Sequence, residues 1–170
     1  MDRHHLENVT DSVITRMVPI EDSNHHVYEN LAQAYEAEFS PVTGKFPEEN
    51  GKYKLDTICR EPHFGYLFYE DNIPIGFVVL GFLDQSYDVA EFYVIPTHRR
   101  HGIGRHMALR VFARYHGHWQ VRQMVKADWA VAFWRRVIGE YCAGEYQEDL
   151  VDDAYYGPVM RQRFVSNPCR

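Results

Sequence analysis

Cysteine is scarce in this chain. Its 170 residues hold three, Cys59, Cys142 and Cys169, odd in number and widely scattered. That pattern argues for a reducing compartment and against a disulfide scaffold or a cysteine-based metal site. Long hydrophobic runs are also missing. The longest, Phe77 to Leu83, is strand-sized, far below the ~20 residues of a membrane span. Met1-Asp2-Arg3-His4-His5 leads into no hydrophobic segment, so no secretory signal is expected and the expected setting is cytoplasmic. There is no internal repeat, low-complexity tract or convincing linker. With 45% hydrophobic, 15% aromatic and 25% charged residues, the composition excludes a disordered or collagen-like chain. The length suffices for one domain, 1–170, with a sizeable core.

The net charge of −6 conceals an asymmetry. Residues 1–90 carry 16 Asp/Glu against 6 Lys/Arg, and residues 91–170 carry 8 against 12. An acidic first half disfavours nucleic-acid binding, which depends on phosphate neutralisation. A compact basic segment in the second half can still hold a small phosphorylated ligand.

The apolar pattern predicts one mixed α+β domain: a single, mostly antiparallel central sheet flanked by helices. Val13 to Val18 reads as a first strand ended by Pro19. Asp22 or Ser23 can cap a helix on which Val27, Leu31, Tyr35 and Phe39 share a face, closed by Pro41 and Gly44. Residues 45–63 read as a loop with a short helix. A hairpin follows, Gly65–Tyr69 and Ile73–Leu83, with Gly76 as a bulge candidate. Next come a strand over 88–95, a helix over 102–115, a strand over 119–125 and a helix capped by Asp128. The last two strands are expected at Tyr141–Glu148 and Pro158–Val165.

The informative stretch is Tyr93-Val94-Ile95-Pro96-Thr97-His98-Arg99-Arg100-His101-Gly102-Ile103-Gly104-Arg105-His106. A strand runs into a basic, glycine-containing turn that opens a helix. Two glycines one residue apart let backbone approach a ligand. The first helical N–H groups and the helix dipole together favour an anion. Arg99, Arg100 and Arg105 add planar, permanently charged donors. The chemistry called for is a bound pyrophosphate. A P-loop is excluded because no Gly-Lys-Ser/Thr follows. A dinucleotide fingerprint is excluded because Met107 stands where a third glycine belongs.

Arg99-Arg100-His101-Gly102-Ile103-Gly104 resembles the Arg/Gln-x-x-Gly-x-Gly motif of the GNAT (Gcn5-related N-acetyltransferase) family. The element order resembles that fold over nearly the whole chain. Ala130-Val131-Ala132-Phe133-Trp134-Arg135 resembles the family's later helix. The resemblance implies an enzyme that binds acetyl-CoA and passes its acetyl group to a primary amine by direct attack in a ternary complex. It implies that the backbone of Phe92, Tyr93 and Val94 pairs with the pantetheine arm. Arg99, Arg100, His101, Gly102, Ile103, Gly104 and Arg105 would then hold the pyrophosphate. The oxyanion would be met near Val94, where a bulge usually opens the strand. Dimers are common among such domains.

Two positions depart from the family pattern: Ala127 replaces an Asn, and Trp134 replaces the Tyr that protonates the leaving sulfur. An indole N–H is no useful acid near neutral pH. Tyr141, Tyr155 and Tyr156 are candidate substitutes, and a thiol of pKa ~8.5 is a tolerable leaving group without one. The family places a carboxylate base at a position matching Glu91 or Asp88. The alternation Val89, Glu91, Tyr93, Ile95 sets Glu91 among apolar neighbours, a costly place for an unpaired carboxylate. Asp88 also reads as a turn residue. His98, His101 and His106 lie beside the expected phosphates, and no metal is expected. Tyr35, Tyr53, Tyr66 and Tyr69 are candidates to line the acceptor pocket. The acidic first half points to a small cationic amine. The alternative is a non-catalytic acetyl-CoA sensor.

Overall fold

The computed structural model describes residues 14 and 16–167. Seven strands form one sheet in the order β1-β2-β3-β4-β5-β7-β6. The strands are β1 (Arg16–Pro19), β2 (Phe64–Glu70), β3 (Ile73–Leu83), β4 (Ser86–Val94), β5 (Gly117–Met124), β6 (Gln147–Asp153) and β7 (Gly157–Ser166). The helices are α1 (His25–Thr43), α2 (Ile103–Arg114) and α3 (Asp128–Tyr141). Every neighbouring pair is antiparallel except β4 with β5. A parallel pair needs a crossover, and α2 supplies it. Among the described residues no helix is long and apolar enough to cross a membrane.

Each face of the sheet has its own core. On one side Ile103, Met107, Val111 and Phe112 of α2 and Trp134, Val137 and Ile138 of α3 pack on Trp119, Val121 and Phe164. On the other, Tyr28 and Ala32 of α1 pack on Leu67, Phe77, Val79 and Tyr93. The stripe read on α1 borders its core rather than filling it: Val27, Leu31 and Tyr35 are half-buried against it, and Phe39 lines a cleft.

Several boundaries differ from the sequence reading, each for a local reason. Val13 and Thr15 of the expected first strand lie outside the described residues, and the ladder includes Pro19, opposite Tyr66. An edge strand tolerates proline because its outward N–H needs no partner. Asn24, not Asp22 or Ser23, takes the cap position of α1. Its side chain accepts from the Glu21 N–H (2.8 Å) and donates to the Pro19 carbonyl (2.9 Å). Pro41 lies inside α1. The Ala37 carbonyl, which loses a backbone donor there, accepts the Ser40 hydroxyl at 2.7 Å. Gly44 then ends the helix in the left-handed conformation, φ 72°.

Residues 45–63 contain no helix. Asp128 is the first residue of α3, behind Ala127. Tyr141 belongs to α3 and not to β6, because its ring packs on Phe112 and Phe164 and its hydroxyl meets Ser166 Oγ at 2.7 Å.

Two irregularities shape the centre of the sheet. The β2–β3 register skips Ile75, next to the glycine expected to mark a bulge. The β3–β4 register pairs Val79 with Glu91 and Leu80 with Val89, so Ala90 is the extra residue of a bulge. The bulge breaks the expected alternation. Val89 and Phe92 pack on the α2/α3 side, whereas Ala90 and Tyr93 pack on the α1 side. The expected opening near Val94 is therefore displaced to Ala90.

Gly76 sits where the sheet leaves no space. A Cβ there would press on the Tyr93 carbonyl and reach the Met107 side chain at 3.0 Å. Gly76→Ala should therefore lower unfolding free energy by about 1–3 kcal/mol, the usual cost of overpacking. Urea denaturation checks this, and an unchanged midpoint would contradict the packing described.

Candidate active site

β4 and β5 pair only at Tyr87–Trp119, Asp88–Gln120 and Val89–Val121. Beyond Val89 the strands part. β4 continues on β3, β5 continues on β7, and their facing edges have no strand between them. A cleft of about 790 Å³ occupies the gap, ample for a cofactor-sized ligand. Phe92, Tyr93, Val94, Arg99, Arg100, Gly102, Ile103, Gly104 and Arg105 line it, as does Glu91. His101 is exposed and outside it, and Asp88 is not on its wall.

One end of the cleft is basic. The first hydrogen bond within α2 runs from His106 N–H to the Gly102 carbonyl (3.0 Å). The N–H groups of Ile103, Gly104 and Arg105 thus have no partner in the helix. Gly102 has φ 79° and Arg100 φ 66°, left-handed backbone that turns the chain into α2. Gly104 is needed for packing as well, since a Cβ there would meet the Phe133 ring at 3.2 Å.

The three arginines differ. Arg99 is fully engaged, by Glu38 (3.0 and 2.6 Å) and by donation from Nε to the Val94 carbonyl (2.8 Å). Arg105 grips Glu140. Arg100 forms no ion pair among the described residues. Of the neighbouring histidines, His98 meets Glu70 at 2.6 Å.

The other end is acidic and aromatic. Glu36 and Asp56 line it with Tyr35, Phe39, Trp129 and Tyr156. Lys45 Nζ bridges Glu36 (2.8 Å) and Asp56 (2.6 Å), and Asp56 also accepts the Tyr155 hydroxyl (3.0 Å). Of the four tyrosines expected around an acceptor, Tyr35 alone lines the cleft. Tyr53 is tied to Gln33 through its backbone, Tyr66 meets Tyr115, and Tyr69 lies under Arg16. Glu36, Lys45 and Asp56 gave no sequence signal because they sit on a helix flank and in a polar loop.

Glu91 stands between the two ends. It is 3% exposed, its Oε2 accepts the Tyr28 hydroxyl at 2.9 Å, and its buried Oε1 has no partner. Burial pushes its pKa up to about 8. Glu36 and Asp56 add to the rise; the Tyr28 hydrogen bond opposes it, as does the Thr57 side chain to a smaller extent. Asp88 is equally buried but answered: Arg122 contacts both its oxygens at 3.0 and 2.9 Å and reaches Asp153 at 2.9 Å. Trp134 lines the cleft edge-on to Phe92, ring centroids 4.9 Å apart.

The family model described as the acetyltransferase (GNAT) family matches residues 27–139, well over half the chain. The chain belongs to the GNAT family. It is an acetyltransferase, and acetyl-CoA is its co-substrate. Comparison with curated proteins gives no match. Among solved structures, an acetyltransferase from Thermus thermophilus superposes with TM-score 0.63 at 14% identity, covering 88% of this chain and 96% of that one. A spermidine N-acetyltransferase from Vibrio cholerae, dodecameric in its structure, gives 0.57 at 13% identity, covering 89% and 93%. A Bacillus subtilis acetyltransferase in complex with CoA gives 0.56 at 11% identity, covering 88% and 97%. At these identities the likeness is one of fold.

The GNAT cleft fits its co-substrate: helix N–H groups without a partner in the helix, an Arg100 without an ion pair among the described residues and an edge of β4 that β5 leaves open suit a diphosphate followed by an amide-bearing arm.

The buried carboxylate makes stability depend on pH. Folded Glu91 keeps a proton that the unfolded chain releases near the ordinary value of 4.5. The native state then binds more protons between about pH 4.5 and 8, so stability falls across that window as pH rises, by up to ~1.4 kcal/mol per unit. Glu91→Gln should flatten this slope, measured by urea titrations at pH 5 to 9. A slope unchanged by the substitution would contradict a buried, protonated Glu91.

Proposed function

We propose that this acetyltransferase acetylates a small cationic amine by direct attack, with Glu91 as the base and the basic turn as the diphosphate site. The observation that carries the reading is the unpartnered Glu91 Oε1 on a cleft that is basic at one end and acidic at the other. Chain 1–170 is read as one catalytic domain.

Acetyl-CoA supplies an activated thioester when bound. The N–H groups of Ile103, Gly104 and Arg105, together with Arg100, hold its diphosphate. The free edge of β4 at Phe92, Tyr93 and Val94 takes the arm. Arg99, committed to Glu38 and Val94, braces the strand end against α1.

An ammonium of pKa ~10.4 must lose its proton before it attacks. Glu91 Oε1 receives that proton, and a carboxylate titrating near 8 suits the transfer better than one at 4.5. Asp88 is the weaker candidate, since Arg122 occupies both its oxygens. Glu36 and Asp56 share the single ammonium of Lys45, and the negative charge left over draws the cation, with Tyr35, Tyr156 and Trp129 lining the same cleft. Trp134 leaves sulfur protonation to water or a hydroxyl, with Tyr156 the candidate phenol on the cleft wall.

A thiol-release assay with acetyl-CoA and a panel of amines tests this. Amines with a second positive charge should exceed neutral-tailed amines of equal length by about tenfold or more in kcat/KM. A preference for neutral tails would reject the acidic end as acceptor site. With the best amine, Glu91→Gln should lose roughly 10²–10⁴ in rate while retaining acetyl-CoA binding. The wild-type rate should rise with pH through about 8, because the ionised form is the base, and that limb should vanish in the variant. Near-normal turnover of Glu91→Gln at pH 7 would remove Glu91 from the role.

For the cofactor, Arg100→Ala should weaken CoA but leave acetyl-pantetheine unchanged, since a charge-assisted bond worth about 1.5–3 kcal/mol exists only with the diphosphate. Equal weakening of both ligands would make Arg100 structural.

A further inference from the structure

The Tyr28 hydroxyl has more acceptors than protons. Tyr28 is fully buried on α1, and its oxygen lies 2.9 Å from the Thr57 carbonyl and 2.9 Å from Glu91 Oε2. A phenol carries one proton, and a carbonyl oxygen carries none. While Glu91 is ionised, one of these two acceptors goes without. A charged oxygen is the stronger acceptor, so the proton belongs to Glu91 in that state. When Glu91 is neutral, the amide carbonyl of Thr57 is the better acceptor.

We infer that Tyr28 is a positioning residue for the acetyl-transfer reaction, a hydroxyl rotor that turns from Thr57 to Glu91 Oε2 when Glu91 ionises and back when Glu91 takes the amine proton. The inference rests on Glu91 being the base. The proton balance is simple. One proton passes from the ammonium nitrogen to Glu91 Oε1, and the proton of Tyr28 never leaves its oxygen. Burial and Glu91 hold the Tyr28 phenol well above the ordinary tyrosine range, so it donates without ionising. With Oε2 held from behind, Oε1 is the oxygen left for the acceptor.

The consequence reaches beyond the carboxylate. Thr57 follows Asp56, which lines the acceptor end of the cleft. Each protonation change at Glu91 therefore adds or removes a hydrogen bond on the loop that carries an acceptor contact. The groups that face Glu91 come from three elements: Tyr28, Tyr35 and Glu36 from α1, Asp56, Thr57 and Cys59 from the 44–63 connection, and Tyr156 from the β6–β7 turn. Lys45 offsets the charge of Glu36 and Asp56. Of these groups, Tyr28 is the one shared between Glu91 and the Thr57 carbonyl.

The test is a ¹³C NMR titration of the full chain labelled at glutamate side-chain carboxyls and threonine carbonyls, in wild type and Tyr28→Phe. Phenylalanine keeps the ring on Phe77, 5.1 Å away, and a thermal melt checks that the variant is folded. In wild type the Glu91 carboxyl should titrate near 8, and the Thr57 carbonyl should move with the same midpoint. In Tyr28→Phe the Glu91 midpoint should rise by about one unit or more, the scale of a lost charge-assisted hydrogen bond, and the Thr57 carbonyl response should fall at least twofold, the remainder being carried by the Thr57 side chain, which itself faces Glu91. Identical Glu91 midpoints in the two proteins, or a Thr57 carbonyl that ignores Glu91 in wild type, would overturn the rotor. Loss of turnover in Glu91→Gln with unshifted midpoints would reject the rotor and keep the base. Shifted midpoints with full turnover in Glu91→Gln would reject the base and keep the hydrogen-bond switch.

Discussion

The parting of β4 from β5 after Val89 is the constraint on which the rest of the site depends. Three paired residues hold the strands together, and then each follows a different neighbour. The bulge at Ala90 re-aims β4 at the point of parting. Unpaired backbone inside a protein is costly unless something satisfies it. Here the open edge borders a cleft, so a ligand with its own amides can complete the ladder. The same bulge shifts Glu91 off the face that Val89 occupies and into contact with Tyr28 on α1. One extra residue thus stands where the strands part and places the carboxylate beside the cleft.

Charge is then distributed along the cleft by sequence position. Glu36 and Asp56 bring acidic groups from α1 and the loop after it, and Arg99, Arg100 and Arg105 bring basic groups from the turn into α2; Arg122 of β5 and Arg136 and Glu140 of α3 line the cleft as well. The net charges of the two halves of the chain are the coarse image of this separation. Most charges in the cleft are answered: Lys45 bridges two carboxylates, Arg99 grips Glu38, Arg105 grips Glu140, and Arg122 joins Asp88 to Asp153. Against that background several groups stand out, the buried Gln123 Oε1 on the cleft wall among them. Arg100 has no carboxylate among the described residues, and Glu91 Oε1 has no donor. A buried group left unanswered, as Glu91 Oε1 is, is where a ligand gains most, because binding removes an existing cost, whereas exposed Arg100 offers a hydrated charge with no competing carboxylate among the described residues.

The sequence makes local features legible and leaves pairings hidden. The turn from Arg99 to Gly104 could be read because its chemistry is contiguous: glycines, arginines and a helix start within a few residues. The stripe Val27, Leu31, Tyr35 and Phe39 locates α1 for the same reason. The partners of Arg99 and Arg105 were not legible, since Glu38 and Glu140 lie 61 and 35 residues away. The Tyr28–Glu91 contact spans 63 residues. Tyr28 also sits one position past Val27, which the helical stripe marks, so a stripe one residue off conceals the residue that touches Glu91. The Ala90 bulge is invisible in a run of β-prone residues, and with it the reason why Val89 and Glu91 do not share a face. Tyr141 reads as a strand residue by propensity, but tertiary packing on Phe112 and Phe164 keeps it in α3.

The departures at Ala127 and Trp134 make physical sense together. Ala127 is buried at 1% exposure and its N–H reaches the Met124 carbonyl at 2.9 Å, so the backbone shapes the turn into α3 without a capping side chain. Trp134 packs against Phe92 and Phe133, with Phe112 behind it. These rings wall the cleft from the α2/α3 core. An apolar wall beside the open strand lowers the local dielectric, which strengthens each hydrogen bond made in the cleft and raises the cost of charge there. A thiol leaving group tolerates that trade, because a thiolate is a weaker base than an alkoxide and needs less help from an acid. In the proposed reaction the demanding proton is the one on the attacking amine. In this molecule the group best arranged to receive it is the buried carboxylate opposite the aromatic wall, with one oxygen held by Tyr28 and the other left open.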